Sequence, residues 1–251
     1  RQSFHTVKDE RVEVLDLESD VVVYHPADHR LLLCDSLQKK DRFETFPAFS
    51  PDGRTLYFCS AEAKKIPEEY KEIRYNLCSI DFDPSAGTFG SRIDTLVNAE
   101  ALGKSVSFPR PSYDGKYIMF TLSDYGNFSI WHKEANLWLL DLTSGDLREL
   151  SEVNSDDTES FHNWSSNSRW FVFSSRRGDG LYTHLYLASM DENGKISKPF
   201  LLPQEDPETY YDRSVYSYNV PDFVNAPILL DTKVFEKRIT SKERIQVQVG
   251  D

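Results

Sequence analysis

Cysteine is scarce in this chain: Cys34, Cys59 and Cys78 are the only three among 251 residues. They lie far apart, form no CxxC pair and have no histidine at ligand spacing, which argues against a zinc site, and their odd number forbids full disulfide pairing. Cys59 and Cys78 fall in apolar, strand-like runs and are expected to pack as reduced, buried small hydrophobes. No apolar run approaches the roughly 18–20 residues of a bilayer span, and Arg1 opens a polar stretch unlike the apolar core of a signal peptide. The expectation is a soluble chain with no transmembrane segment. Concentrated positive charge is missing too. A net charge of -12, from 41 acidic against 29 basic residues, argues against nucleic acid as a partner. The densest basic stretch, residues 233–244, alternates with acids and reads as a solvated tail. There is no GxSxG elbow, no HExxH and no glycine-rich phosphate loop, so no residue is assigned a catalytic role. The scattered histidines share no metal-ligand spacing, and neither a metal nor a cofactor is expected.

What the chain has is aromatic, β-forming sequence, with 13% aromatic and 39% hydrophobic residues. "FPAFSPDGRTLYFCSA" from Phe46 returns as "FPRPSYDGKYIMFTLS" from Phe108 and as "FHNWSSNSRWFVFSSR" from Phe161. The turn signals Asp52-Gly53 and Asp114-Gly115 stand 62 residues apart, and Asn167-Ser168 takes the same place 53 residues later. Aromatic stretches precede each turn, at Phe46 and Phe49, Phe108 and Tyr113, Phe161 and Trp164; "RTLYFCS", "KYIMFTL" and "RWFVFSS" follow. A third strand comes after a variable insert ("YNLCSIDFD", "ANLWLLDLT", "THLYLASMD"), and a fourth apolar segment closes each unit. Four-stranded antiparallel meanders of about 50 residues are the signature of β-propeller blades, which bury their faces only against neighbours. Helical periodicity is nearly absent, with one short turn expected at 67–72.

The predicted fold is therefore all-β: a propeller of three full blades and about half of another, a partial propeller of a longer protein or one completed by another chain. The expected division is 1–41 as outer strands of a preceding blade, blades at 42–103, 104–157 and 158–206, and a C-terminal extension at 207–251. Within 1–41, two strands are expected, at 20–24 and 30–34.

The cores "FSPDGRTLYF" and "SYDGKYIMF", followed by "LWLLDLTSG", resemble the PD-type repeats of TolB-like propellers of the bacterial cell envelope. Over nearly the whole chain, "SFHTVKDERVEVLDLESD", "ESFHNWSSNSRWFVFSSRR" and "SYNVPDFVNAP" resemble, in that order, segments of the C-terminal propeller portion of TolB-like periplasmic lipoproteins. The resemblance implies a periplasmic or envelope location, a protein partner there, and membrane tethering through an N-terminal lipid anchor outside this sequence. Longer members resemble proteins with an upstream CxxCH haem motif; this sequence has none.

In a propeller the loops between second and third strands gather near the central channel, which points to the inserts 61–74, 123–136 and 176–184. The insert "SDYGNFSIWHKEAN" offers Tyr125, Phe128, Trp131 and His132 as partly exposed interface anchors. His162, standing where Pro47 and Pro109 stand in the other repeats and preceded by acids, is a mouth-facing candidate. Arg177 completes the expected binding surface. The competing reading folds these aromatics onto the neighbouring blade and makes His162 a hydrogen-bonded structural histidine. Arg177 also opens an RGD tripeptide, explained as a turn. Asp52, Gly53, Asp114 and Gly115 are assigned to structural turns. Two function classes follow: a non-catalytic protein-interaction scaffold of the envelope, favoured, or the propeller portion of an envelope enzyme such as a prolyl-oligopeptidase-like peptidase or a polysaccharide lyase.

Overall fold

The computed structural model describes residues 2–6 and 12–249, with side chains from Glu13 onward. Positions 1, 7–11 and 250–251, which fall within the 1–41 and 207–251 segments, lie outside the described residues. The strands run β1 (Gln2–Thr6), β2 (Val12–Asp16), β3 (Val23–His25), β4 (Arg30–Leu32), β5 (Arg42–Phe49), β6 (Thr55–Glu62), β7 (Asn76–Asp83) and β8 (Thr88–Val97). They continue as β9 (Ser105–Pro111), β10 (Tyr117–Ser123), β11 (Asn136–Asp141), β12 (Leu147–Glu149), β13 (Glu159–Trp164), β14 (Trp170–Ser175), β15 (His184–Ser189) and β16 (Phe200–Leu201). Helices α1 (Pro207–Arg213) and α2 (Thr232–Thr240) precede β17 (Gln248–Val249).

Three sheets are four-stranded antiparallel meanders in sequence order, β5 to β8, β9 to β12 and β13 to β16. They are propeller blades. Their strands bury both faces, which is why "LYFC", "YIMF" and "WFVF" are apolar throughout instead of alternating. On β6, Leu56 and Phe58 pack with Val21 and Leu37 on the partial-blade side. Tyr57 and Cys59 turn the other way and meet Val106, Ile118 and Phe120 of the second blade. Met119 and Leu139 then meet Trp164, Phe171 and Phe173 of the third. Burying a side chain of this size contributes roughly 1.5–3 kcal/mol, so these interfaces hold the blades together. Cys59 and Cys78 are free and buried within them.

Each blade's first hairpin closes on the repeated turn. Asp52 Oδ1 accepts from Ser50 Oγ at 2.6 Å and Arg54 N at 3.0 Å. Asp114 Oδ1 accepts from Ser112 Oγ at 2.6 Å and Lys116 N at 3.2 Å. Asn167 Oδ1 does the same with Ser165 Oγ at 2.7 Å and Arg169 N at 3.0 Å. Gly53 and Gly115 supply the positive φ (71° and 70°) that the next position requires. Ser168 adopts φ 56° there, and its Oγ accepts from the Asp114 N–H of the neighbouring blade at 2.9 Å.

The two ends depart from the sequence expectation. In the partial blade β3 and β4, near the expected 20–24 and 30–34, pair antiparallel among the described residues, but β17 adds to β4 in parallel. Residues 2–6 and 12–16 form their own hairpin, β1 with β2, instead of outer blade strands. Two helices occur beyond 206 where none was expected. Both follow an aspartate cap: Asp206 accepts from Thr209 N and is followed by Pro207, and Asp231 accepts from Lys233 N. In the first insert the expected helical turn appears as a 3-10 turn at Tyr70–Glu72. The segment after α1 returns to the open side of the third blade, where Ser174 Oγ donates to Tyr218 O at 2.8 Å and Tyr218 N to Thr183 O at 3.0 Å.

Candidate interaction face

The inner strand of each full blade carries a bulge, marked by a register shift between Thr45 and Ala48, between Met119 and Thr121 opposite β9, and between Ser160 and Asn163. A bulge re-aims the side chain it carries. Here it holds Phe46, Phe108 and Phe161 at φ 51°, 54° and 49°, a region non-glycine residues enter at a cost of roughly 1–2 kcal/mol each. The three rings stack from blade to blade, with centroids 4.2 Å apart for Phe46 and Phe108 and 4.6 Å for Phe108 and Phe161. Phe128, half-buried, sets its edge on the first two at 6.0 and 6.4 Å. Offset and tilted aromatic contacts of this kind contribute about 0.5–1.5 kcal/mol each beyond area burial, offsetting the backbone strain.

The insert of the second blade is where the candidate residues separate. Tyr125 and His132 were expected to be partly exposed, yet they are 8% and 1% exposed because β2 lies across them. Tyr125 Oη donates to Glu13 Oε1 at 2.6 Å, and the His132 ring nitrogens lie 3.2 Å from Glu134 and 3.3 Å from Glu13. Leu15 packs with Tyr70 and Tyr125, and Asn127 donates to Asp16. The N-terminal hairpin thus closes part of the face that the inserts would otherwise present. His162 is also interior. Its Nε2–H donates to Met119 O at 2.9 Å, and burial pushes its pKa down to about 3, so it is a neutral structural group.

Trp131 is 39% exposed at the tip of a 3-10 turn, Ser129–Trp131. Its ring lies 3.6 Å from the guanidinium carbon of Arg176, a residue that sequence reading passed over in favour of its neighbour. Arg176 is 4% exposed and donates through Nη2 to Leu181 O at 2.9 Å, so the indole rests on a fixed cationic platform. Arg177 points inward instead. It bonds Glu159 Oε1 at 2.9 Å and Val153 O at 2.5 Å, and its guanidinium lies 4.6 Å from the Tyr186 ring centroid. Burial pushes the Glu159 carboxyl up, but Ser155, Ser175 and Arg177 oppose the shift and satisfy the group.

Among the described residues no three His, Cys, Asp or Glu side chains are grouped to hold a metal ion, and no helix is long and apolar enough to cross a membrane.

The blade topology and axial aromatic stack define a β-propeller. No family model and no curated protein matches the chain. Among solved structures it is similar to oligogalacturonate lyase in complex with manganese, at 11% identity and a TM-score of 0.50 over 78% of this chain and 51% of that one. It is also similar to TolB from Acinetobacter baumannii, at 18% identity and a TM-score of 0.38 over 70% of this chain and 40% of that one. A puromycin-hydrolyzing peptidase of Mycobacterium tuberculosis matches at 15% identity and 0.46, over 81% and 30%. The chain therefore spans about half or less of each of these proteins, and the likeness is one of fold.

Proposed function

We propose that this chain is a non-catalytic, TolB-like propeller module that binds a protein partner in the bacterial periplasm or cell envelope through the insert face. The observation that carries this reading is Trp131, a large aromatic 39% exposed on the insert face and stacked on a buried arginine. Tryptophan and arginine are the residues most enriched where interfaces concentrate their energy, because they bring large contact area at small entropic cost. Phe128 supports the turn from below, on the Phe46 and Phe108 rings. Tyr125 and His132 hold the insert against β2, while His162 and Arg177 tie together the blades behind it.

The net charge of -12 suits a basic or apolar partner surface. The test is a pull-down from envelope extract with the protein and its Trp131→Ala variant, matched for thermal stability. Loss of one identified protein with Trp131→Ala is expected; equal recovery of the same proteins by both would remove the face from consideration. Turnover of a peptide or an oligogalacturonate by the unmodified protein would favour the enzymatic alternative.

A further inference from the structure

Glu44 and Glu159 occupy equivalent positions in the first and third blades, each two residues before the bulged phenylalanine and each opposite a serine, Ser60 or Ser175. In the third blade the carboxylate is fully satisfied: Ser155, Ser175 and the Arg177 guanidinium all donate to Glu159. Arg177 sits two residues beyond Ser175. Two residues beyond Ser60 the first blade has Glu62, which points outward and pairs with Lys64 at 2.9 Å. Glu44 is therefore left without that guanidinium. It is 1% exposed, its Oε1 accepts a 3.3 Å bond from Ser60 Oγ, and its Oε2 is buried with no hydrogen-bond partner among the described residues. The nearest base, Arg42, stands 3.9 Å off and donates its Nε to Ser60 instead.

A buried carboxylate oxygen without a partner is costly, and native proteins rarely leave one so. Glu44 lines a cleft of about 570 Å³ together with Asp16, Glu18, Ser19, Asp20 and Phe46. Ser19 Oγ is a second buried polar atom there with no partner among the described residues. Among the described residues the acids are not grouped as metal ligands, and the cleft is far roomier than one ion needs. Glu44 and Asp20 in its wall, with the Phe46 ring, match an elongated cation with an apolar stem.

We propose that this cleft binds a guanidinium or primary ammonium group on an alkyl stem, with Glu44 as the counter-ion and the ligand standing where Arg177 stands on Glu159. The charged head would take the Glu44 and Ser19 oxygens, and the stem would lie on Phe46, as arginine stems commonly lie on aromatic rings. The inference goes beyond the insert-face reading and uses none of the residues exposed there, so its failure leaves that reading untouched.

The experiment titrates the protein with agmatine, with the peptide acetyl-Gly-Arg-Gly-amide and with its citrulline isostere, read by calorimetry. Binding of the arginine peptide is expected, at least tenfold weaker with citrulline, which keeps the shape and loses the charge. Tighter binding of the peptide than of agmatine assigns the cation to a protein partner's side chain, and the reverse order to a free small molecule. Two variants test the residue assignment. Glu44→Gln is expected to weaken binding at least tenfold. Glu62→Arg, which installs the third blade's guanidinium in the first, is expected to satisfy Glu44 internally, raise the melting temperature and abolish binding. Failure of both cations to bind the unmodified protein, equal binding of the citrulline peptide, or unchanged binding by Glu44→Gln would overturn the proposal.

Discussion

Phe46 and Phe108 face each other across a blade boundary with ring centroids 4.2 Å apart, and both reach that contact only because their backbones sit at φ near +50°. The two facts belong together. A bulged residue in the left-handed region directs its side chain along the inner strands toward the neighbouring blade, and the ring contact recovers what the backbone gives up.

This makes a prediction about Phe108, the middle ring. Replacing it with alanine removes both ring contacts and keeps the strained backbone, and should cost about 3 kcal/mol or more, the usual loss for a buried phenylalanine. Phe108→Gly removes as much packing but relieves the left-handed φ, worth about 1 kcal/mol. Urea unfolding should therefore rank glycine as no worse than alanine, against the ordinary order in a strand. A glycine variant clearly less stable than alanine would remove strain from the account.

Glu44 gives the protein an alkaline weakness. Burial raises its carboxyl from 4.5 to about 7 in the folded chain. Between those values the folded state keeps a proton that the unfolded chain has released, so stability falls as pH rises through this window. Over pH 5 to 8 the loss should be about 2 kcal/mol. Urea midpoints of Glu44→Gln should be flatter with pH by that amount; parallel profiles for the two proteins would contradict the assignment.

His162 acts in the opposite direction. Its folded value of about 3 lies below the ordinary 6.5, so below pH 6.5 the unfolded chain takes up a proton that the folded chain refuses, and stability is lost as pH drops. From pH 6 to 4 the loss should reach about 2 kcal/mol. His162→Gln, which can still donate to Met119 O, should lose less over the same range, as thermal melts at the two pH values would record.

At the turns, Asp114→Ala removes an acceptor serving Ser112 Oγ and Lys116 N. A loss of about 1 kcal/mol in denaturant unfolding is expected.

The blades were legible because their signals are local and repeated: an aromatic residue six positions before Asp52, Asp114 and Asn167, then a strongly β-forming run. The burial of Tyr125 and His132 was not legible. It depends on Glu13 and Leu15, more than a hundred residues earlier, crossing the inserts, and no spacing announces a contact that long. Arg176 and Arg177 were indistinguishable as letters, yet just past the end of β14 one lies under Trp131 and the other turns to Glu159. Two signals were present and unread. Glu-x-Phe occurs at 44–46 and 159–161, while the middle blade has Val106 in the glutamate's place. The caps Asp206-Pro207 and Asp231 likewise mark the helices that periodicity, in segments of 7 and 9 residues, was too short to reveal.

The central claim is that Trp131 on the insert face contacts a protein partner. A photoreactive phenylalanine analogue placed at position 131, and separately at the exposed Tyr113 beside an Asp-Gly turn, would test it by crosslinking in envelope-bearing cells. The account predicts one defined adduct from position 131, identified by mass spectrometry, and none of that identity from position 113. The same adducts from both positions, or none from position 131 in a folded and correctly located protein, would contradict it.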